Sequence, residues 1–180
     1  MLMVWHAAPA RAEPLYDRPV YNPETNSYFE LVKVVPGYSI RGRDVPAVTW
    51  HKASSLAHAR VYKGARGRLA VIRSRAASDF LRQTFKPDVP AWIGLRYWCE
   101  FNKLQWVTGE IHPRTEFANW DRIWRHDGGE RGGKRAPECS NTLRFWPVNT
   151  WSARDGFRWN ANGTNKEFGA FFIEYPTGEE

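Results

Sequence analysis

Cysteine is scarce in this chain. Its 180 residues hold two, Cys99 and Cys139, too few for a disulfide scaffold and not at the spacing of a zinc site. They can form one bridge or remain thiols. Long apolar runs are missing too: no stretch reaches the roughly eighteen residues of a membrane-spanning helix. The motifs of the common enzyme chemistries are also missing. There is no nucleophile elbow, no His-Glu-x-x-His helix, no Walker loop and no recognisable pair of working carboxylates. The five histidines, His6, His51, His58, His112 and His126, are scattered without ligand spacing. No catalytic residue, cofactor or metal ligand is therefore assigned, and a binding module is expected rather than an enzyme. Acid is absent from one long segment: between Leu31 and Arg75, Asp44 alone faces Lys33, Arg41, Arg43, Lys52, Arg60, Lys63, Arg66, Arg68, Arg73 and Arg75.

Aromatic residues are what the chain has in quantity: 10 Trp, 10 Phe and 7 Tyr. With 42% hydrophobic and 25% charged residues, it reads as one globular domain whose core is built from large rings. The net charge is +7 and the pI about 9.6. Because the 31–75 segment exceeds that net charge, the rest of the chain is slightly acidic. Such a patch attracts anionic polysaccharide, lipid or nucleic acid, with Arg60, Lys63, Arg66 and Arg68 as contacts, or is a solvated basic face. At the N-terminus, the apolar Leu2–Trp5 and the small-x-small Ala10-Arg11-Ala12 read as the remnant of a signal peptide over 1–12. A secreted or periplasmic location is expected. Residues 13–25 form an extended lead-in and 26–176 the domain.

Ser27 to Val35 is strand-like and stops at Pro36-Gly37. Thr49 to Tyr62 is the first predicted helix, capped by Thr49, with Trp50, Ala53, Leu56, Ala57 and Val61 on its buried face. Leu69 to Ile72 is a short buried run. Ser74 caps a second helix with Ala77, Phe80, Leu81 and Phe85 inward, ended by Pro87 and Pro90. Trp92–Leu95 and Leu104–Gly109 make a hairpin about a turn at Glu100–Lys103. From Ile111 to Pro137 no periodicity holds, and a loop of that length is functional or disordered. Glu138 to Trp146 returns as a strand, 147–156 is turn-rich, and Phe171-Phe172-Ile173 with Tyr175 is a core strand.

Trp92-Ile93-Gly94-Leu95, then Trp106 before Gly109, then Trp159-Asn160, then the closing aromatic-Ile-Glu-Tyr strand together resemble the C-type lectin-like domain. The resemblance covers about residues 26–175. It implies an α+β fold: two helices, a small antiparallel sheet joining the termini, a second sheet, and a long loop that carries ligand binding. Against that pattern the usual calcium motifs are incomplete. Trp159-Asn160-Ala161 stands where the family has Trp-Asn-Asp, no Glu-Pro-Asn or Gln-Pro-Asp occurs in the loop, and Glu138 is one position off the family's acid. An improvised site from Asp121, Asp127 and Glu130 is the remaining metal option. The family's paired cysteines would fall near Ala59 with Ile173 and at Cys139 with Thr164, so the usual disulfides are missing, and a Cys99–Cys139 bridge is left open.

The resemblance directs the search for a ligand to the loop. The expected set is Trp120, Trp124, Arg125, Asp127, Glu130, Arg131, Glu138, Asn141, Trp151 and Asn160. An exposed indole can stack on a sugar's C–H face, and neighbouring arginines can hold an anionic group. Trp120 has an alternative role as the ring that pins the loop to the core. The partners expected are a glycan or a cell-surface protein, with an anionic polymer as the third alternative. Trp92, Trp106 and Trp159 are assigned to the core, and Gly128 to Arg135 to a surface loop.

Overall fold

The computed structural model describes residues 18–34, 39–40, 43–44, 47–124 and 144–178. In chain order these form β1 (Val20–Asn22), β2 (Ser27–Lys33), β3 (Ser39–Ile40), β4 (Arg43–Asp44), β5 (Val48–Thr49), α1 (Trp50–His58), β6 (Val61–Tyr62), β7 (Ala65–Arg66), β8 (Arg68–Leu69), α2 (Arg75–Phe85), β9 (Ala91–Trp98), β10 (Lys103–Trp106), β11 (Phe145–Thr150), β12 (Trp159–Ala161), β13 (Glu167–Phe168) and β14 (Ala170–Pro176). The signal-like segment 1–12 and the loop residues 125–143 lie outside the described residues.

The aromatic closing strand does what its composition predicts. β14 pairs antiparallel with β2, Tyr28 opposite Tyr175 and Leu31 opposite Phe172, so the two ends of the domain share a sheet. Its other edge runs parallel to β9 at Ala170–Phe171 against Ala91–Trp92. The two expected sheets are therefore continuous in one eight-stranded sheet, ordered β1-β2-β14-β9-β11-β12 with β10 on β9 and β8 on β14. The lead-in contributes β1, which folds back on β2.

α1 starts where expected, with the Thr49 side chain accepting from the Lys52 N–H, but it ends at His58. The sequence reading carried it to Tyr62. Val61 and Tyr62 instead pair with Arg66 and Ala65 in a two-stranded ribbon. The turn between them needs positive φ at Lys63 (49°) and Gly64 (83°), a conformation no helix continues through. Trp50, Ala53 and Ala57 are buried as predicted, whereas Leu56 is 36% and Val61 63% exposed. α2 matches its expected cap, Ser74 Oγ accepting from the Ala77 N–H at 2.9 Å. β11 runs on to Thr150, beyond the expected end at Trp146. It accommodates Pro147 at a register shift between Pro147 and Asn149, where no ladder donor is required of it.

The core has two lobes. One gathers Ile72, Leu81, Ile93, Leu95, Trp106, Trp159 and Phe172; the other gathers Trp50, Ala53, Ala57, Leu69, Trp92, Phe171 and Ile173. Trp92, Trp106 and Trp159 are fully buried. Ile173, where the family would place a cysteine, packs instead among these apolar neighbours. Between the lobes, Gly94 lets β9 approach the segment after β8 closely. A Cβ there would sit 2.6 Å from the Leu69 carbonyl oxygen and 2.9 Å from Val107 Cγ2. Gly94→Ala is expected to cost about 2–3 kcal/mol, because the nearest obstacle is backbone and cannot rotate away. An unchanged urea midpoint would contradict this.

Candidate functional site

The loop that follows β10 is tied to the sheet edge before it leaves the described residues. Trp120 forms a parallel bridge with Trp159 of β12. The Trp159 N–H donates to the Asn119 carbonyl at 2.7 Å, and the Asp121 N–H donates to the Trp159 carbonyl at 2.9 Å. The Asn119 amide adds a bond to the Phe157 carbonyl at 3.0 Å. A turn follows, closed by the Trp124 N–H on the Asp121 carbonyl at 3.0 Å, with Arg122 and Ile123 exposed at its tip.

This edge turns both loop tryptophans inward. Trp120 is 8% and Trp124 7% exposed. The Trp120 ring stands edge-on to Trp159 at 5.5 Å, and the Trp124 ring lies 6.5 Å from Trp120 and 6.4 Å from Trp146. In those positions neither presents an open face for a sugar to stack on, so the structure differs here from the expectation of exposed stacking rings. For Trp120 it takes the alternative, the ring that pins the loop. Trp124 goes further: its indole N–H donates to Asn160 Oδ1 at 2.6 Å. Asn160 is itself buried, and the next residue, Ala161, contributes a buried methyl.

Trp151 is partly exposed, and its indole N–H donates to Asp121 Oδ2 at 2.8 Å. The other Asp121 oxygen accepts the Arg122 N–H at 2.5 Å. Trp120, Trp124, Trp151 and Asn160 thus belong to one connected cluster through Asp121 and Trp159, with Asp121, Arg122, Ile123 and Trp151 on its outer side. The sequence singles out Asp121 only for the improvised metal set; its part as the acceptor that orients Trp151 was not visible there. Arg125, Asp127, Glu130, Arg131, Glu138 and Asn141 lie outside the described residues. Among the described residues no group of three or more His, Cys, Asp or Glu side chains could hold a metal ion. The improvised set of Asp121, Asp127 and Glu130 has two members outside them. Cys99 is disulfide-bonded, and the chain's other cysteine, Cys139, also lies outside.

The basic contacts expected to form an anionic docking patch are partly engaged already. Arg60 bonds the Glu30 carboxylate, and Arg68 Nε donates to Glu174 Oε2 at 3.2 Å. Lys63 donates to the Tyr28 hydroxyl at 2.7 Å with its ammonium 4.6 Å from that ring, and Arg66 lies 3.2 Å from His58 Nε2. The Tyr28 hydroxyl holds the Lys63 ammonium above its ordinary pKa. The acids that answer Arg60 and Arg68 come from β2 and β14, outside the segment whose charge balance suggested the patch.

The C-type lectin domain model matches residues 47–169. The chain belongs to the C-type lectin domain family. Solved structures of the same fold span nearly all of it. C-type lectin CEL-I from Cucumaria echinata is 15% identical with a TM-score of 0.56, covering 88% of this chain and 97% of its own. The carbohydrate-recognition domain of the human scavenger receptor C-type lectin is 13% identical at TM-score 0.57, covering 89% and 99%. Human lithostathine is 15% identical at 0.55, covering 96% and 99%. At such identities the likeness is one of fold. No curated protein sequence matches the chain. A lectin-type domain of this kind is a carbohydrate- or protein-binding module, and the family is generally non-enzymatic. Among the described residues no helix of this lectin domain is long and apolar enough to cross a membrane.

Proposed function

We propose that this lectin domain is a secreted or periplasmic module that recognises a glycan without calcium. The observation that carries the reading is the 2.6 Å bond from the Trp124 indole to Asn160 Oδ1. The resemblance assigns that side-chain oxygen to calcium, which prefers carboxylate and amide oxygens in number. Here the oxygen is committed to an N–H donor, and Ala161 beside it has no side-chain oxygen to offer. A buried indole N–H that lost this acceptor would cost about 1–3 kcal/mol, so the cluster favours the metal-free arrangement. The glycan contact falls to Trp151, whose ring is oriented by Asp121, and to the partly exposed Asp121 and exposed Arg122 groups beside it. Arg125, Asp127, Glu130, Arg131, Glu138 and Asn141 complete the proposed set from their position in the sequence.

A glycan array probed with the whole chain tests this, followed by titration of each hit in calcium and in EDTA. Affinity is expected to be the same in both within about twofold. Trp151→Ala is expected to weaken it about tenfold or more, since it removes the ring on which the sugar's C–H face would lie. Binding that disappears in EDTA and returns with calcium would overturn the proposal. A protein partner is the second reading, supported by Ile123, an apolar side chain 54% exposed at the tip of the turn. A silent array together with a partner whose binding is lost in Ile123→Asp would favour it.

A further inference from the structure

Arg96 follows Trp92-Ile93-Gly94-Leu95 directly in β9, and strand alternation puts it on the same face as Trp92 and Trp98. α1 lays Trp50 against that face, and β11 adds Phe145, the register partner of Trp98. The guanidinium carbon of Arg96 lies 5.1 Å from the ring centre of Trp50, 4.9 Å from that of Trp98 and 5.6 Å from that of Phe145. Each wall is itself fastened. The Trp50 indole N–H donates to the Ile93 carbonyl at 2.8 Å, and the Trp98 indole N–H donates to Gln105 Oε1 at 2.7 Å. Phe145 lies 5.8 Å from Trp50 and 5.1 Å from Trp98.

Among the described residues the charge in this cage has no acidic partner. The Arg96 side chain makes no ion pair and no hydrogen bond among them, and its Nε is shut off from solvent without an acceptor. Arg60, Arg68, Arg73 and Arg82, by contrast, each face a carboxylate. Three ring faces explain how a half-buried cation is tolerated, at about 0.5–2 kcal/mol for each favourable cation–π contact. They accept no conventional hydrogen bond, so the buried Nε–H is left unmatched while the rings hold the guanidinium plane in place. Burial lowers the guanidinium pKa from its ordinary value, yet arginine stays charged at any physiological pH. A planar, preordered donor fork suits a carboxylate or sulfate. Trp98, partly exposed, and His51, an exposed ring 5.3 Å from Phe145, stand beside it.

We propose that Arg96 is the anion-binding residue of a second subsite, which takes the carboxylate or sulfate of an acidic saccharide while the partly exposed Trp98 ring receives the sugar's C–H face. This subsite does not rest on the Trp151 cluster. The test follows the Arg96 Nε–H and the Trp98 indole N–H by ¹⁵N–¹H NMR as the whole chain is titrated with glucuronate, with glucose 6-sulfate, and with glucose as the neutral control. Both signals are expected to shift saturably with the acidic sugars and to stay still with glucose. A response to one acid alone supports the subsite and names its anion. Arg96→Gln is expected to weaken binding about tenfold or more, the loss of a charge-assisted pair. An unmoved Arg96 Nε–H under both acids overturns the proposal, as does an equal response to glucose. So does undiminished binding by an Arg96→Gln protein whose other indole signals show it folded. The titration of the native chain decides the matter even if that variant fails to fold.

Discussion

Glu174→Ala is expected to cost about 3–5 kcal/mol of stability, the loss seen when one partner of a buried charge pair is removed. Glu174 lies in the middle of β14, is 4% exposed and gathers two separate pieces of chain. One carboxylate oxygen accepts the Ser27 hydroxyl at 2.9 Å, at the start of β2. The other accepts Arg68 Nε at 3.2 Å from β8 and the Val71 N–H at 3.1 Å. Truncation leaves a backbone donor without its acceptor and takes the carboxylate from a half-buried arginine. For a chain of this size the loss corresponds to a fall of roughly 6–20 °C in Tm. Glu174→Gln keeps an acceptor oxygen and is expected to fall between the wild type and the alanine variant. Thermal melts of the three proteins check the order; a Tm drop below about 3 °C for the alanine variant would show that Glu174 is not the fastening described.

Trp159→Ala is expected to cost a similar ~3–5 kcal/mol, here as a cavity and not as a lost charge. Trp159 is fully buried and stands edge-on to Trp106 at 5.9 Å, Phe117 at 5.8 Å and Trp120 at 5.5 Å, with His112 at 5.8 Å. Three of those neighbours come from the segment 112–120, so removing the ring takes the floor from under the loop. The main-chain bonds to the Asn119 carbonyl and from the Asp121 N–H survive in principle but lose the packing that shields them. Two readouts are therefore expected to move together: the urea midpoint falls, and proteolysis of 111–124 becomes fast under native conditions. Trp159→Phe, which retains most of the area, is expected to cost less and to leave the loop resistant. A destabilised Trp159→Ala protein with a loop as resistant as before would separate the two roles.

How much of this was legible beforehand varied with how local the deciding physics is. The closing strand was plain because Phe171, Phe172, Ile173 and Tyr175 suit little else, and its pairing with β2 followed from the resemblance. The start of α1 was legible from Thr49, since a cap is a local interaction. Its end was not, because Val61 fits the helical spacing as well as it fits a strand; the turn at Lys63-Gly64 outweighed periodicity. The two loop tryptophans could not be placed from sequence. An indole in an irregular stretch carries no pattern that says which way it faces, and the acceptor that draws Trp124 inward lies 36 residues on. The basic segment misled for the same reason, since Glu30 and Glu174, the acids that answer Arg60 and Arg68, are far away in sequence. Arg96 was passed over as one more cation, although its alternation with Trp92 and Trp98 was there to read. What the sequence lacked was Phe145 and Trp50 closing around it.

The β2–β14 ladder has a mechanical consequence. Ser27 pairs with Pro176 at one end and Lys33 with Ala170 at the other, so both strands leave the sheet from the same rung. Tension drawn through residues 27 and 176 concentrates on that single rung and opens the pairs one after another, like a zip, with each step breaking little at a time. Shear, in which every bond along the strand resists at once, would require the strands to exit at opposite ends.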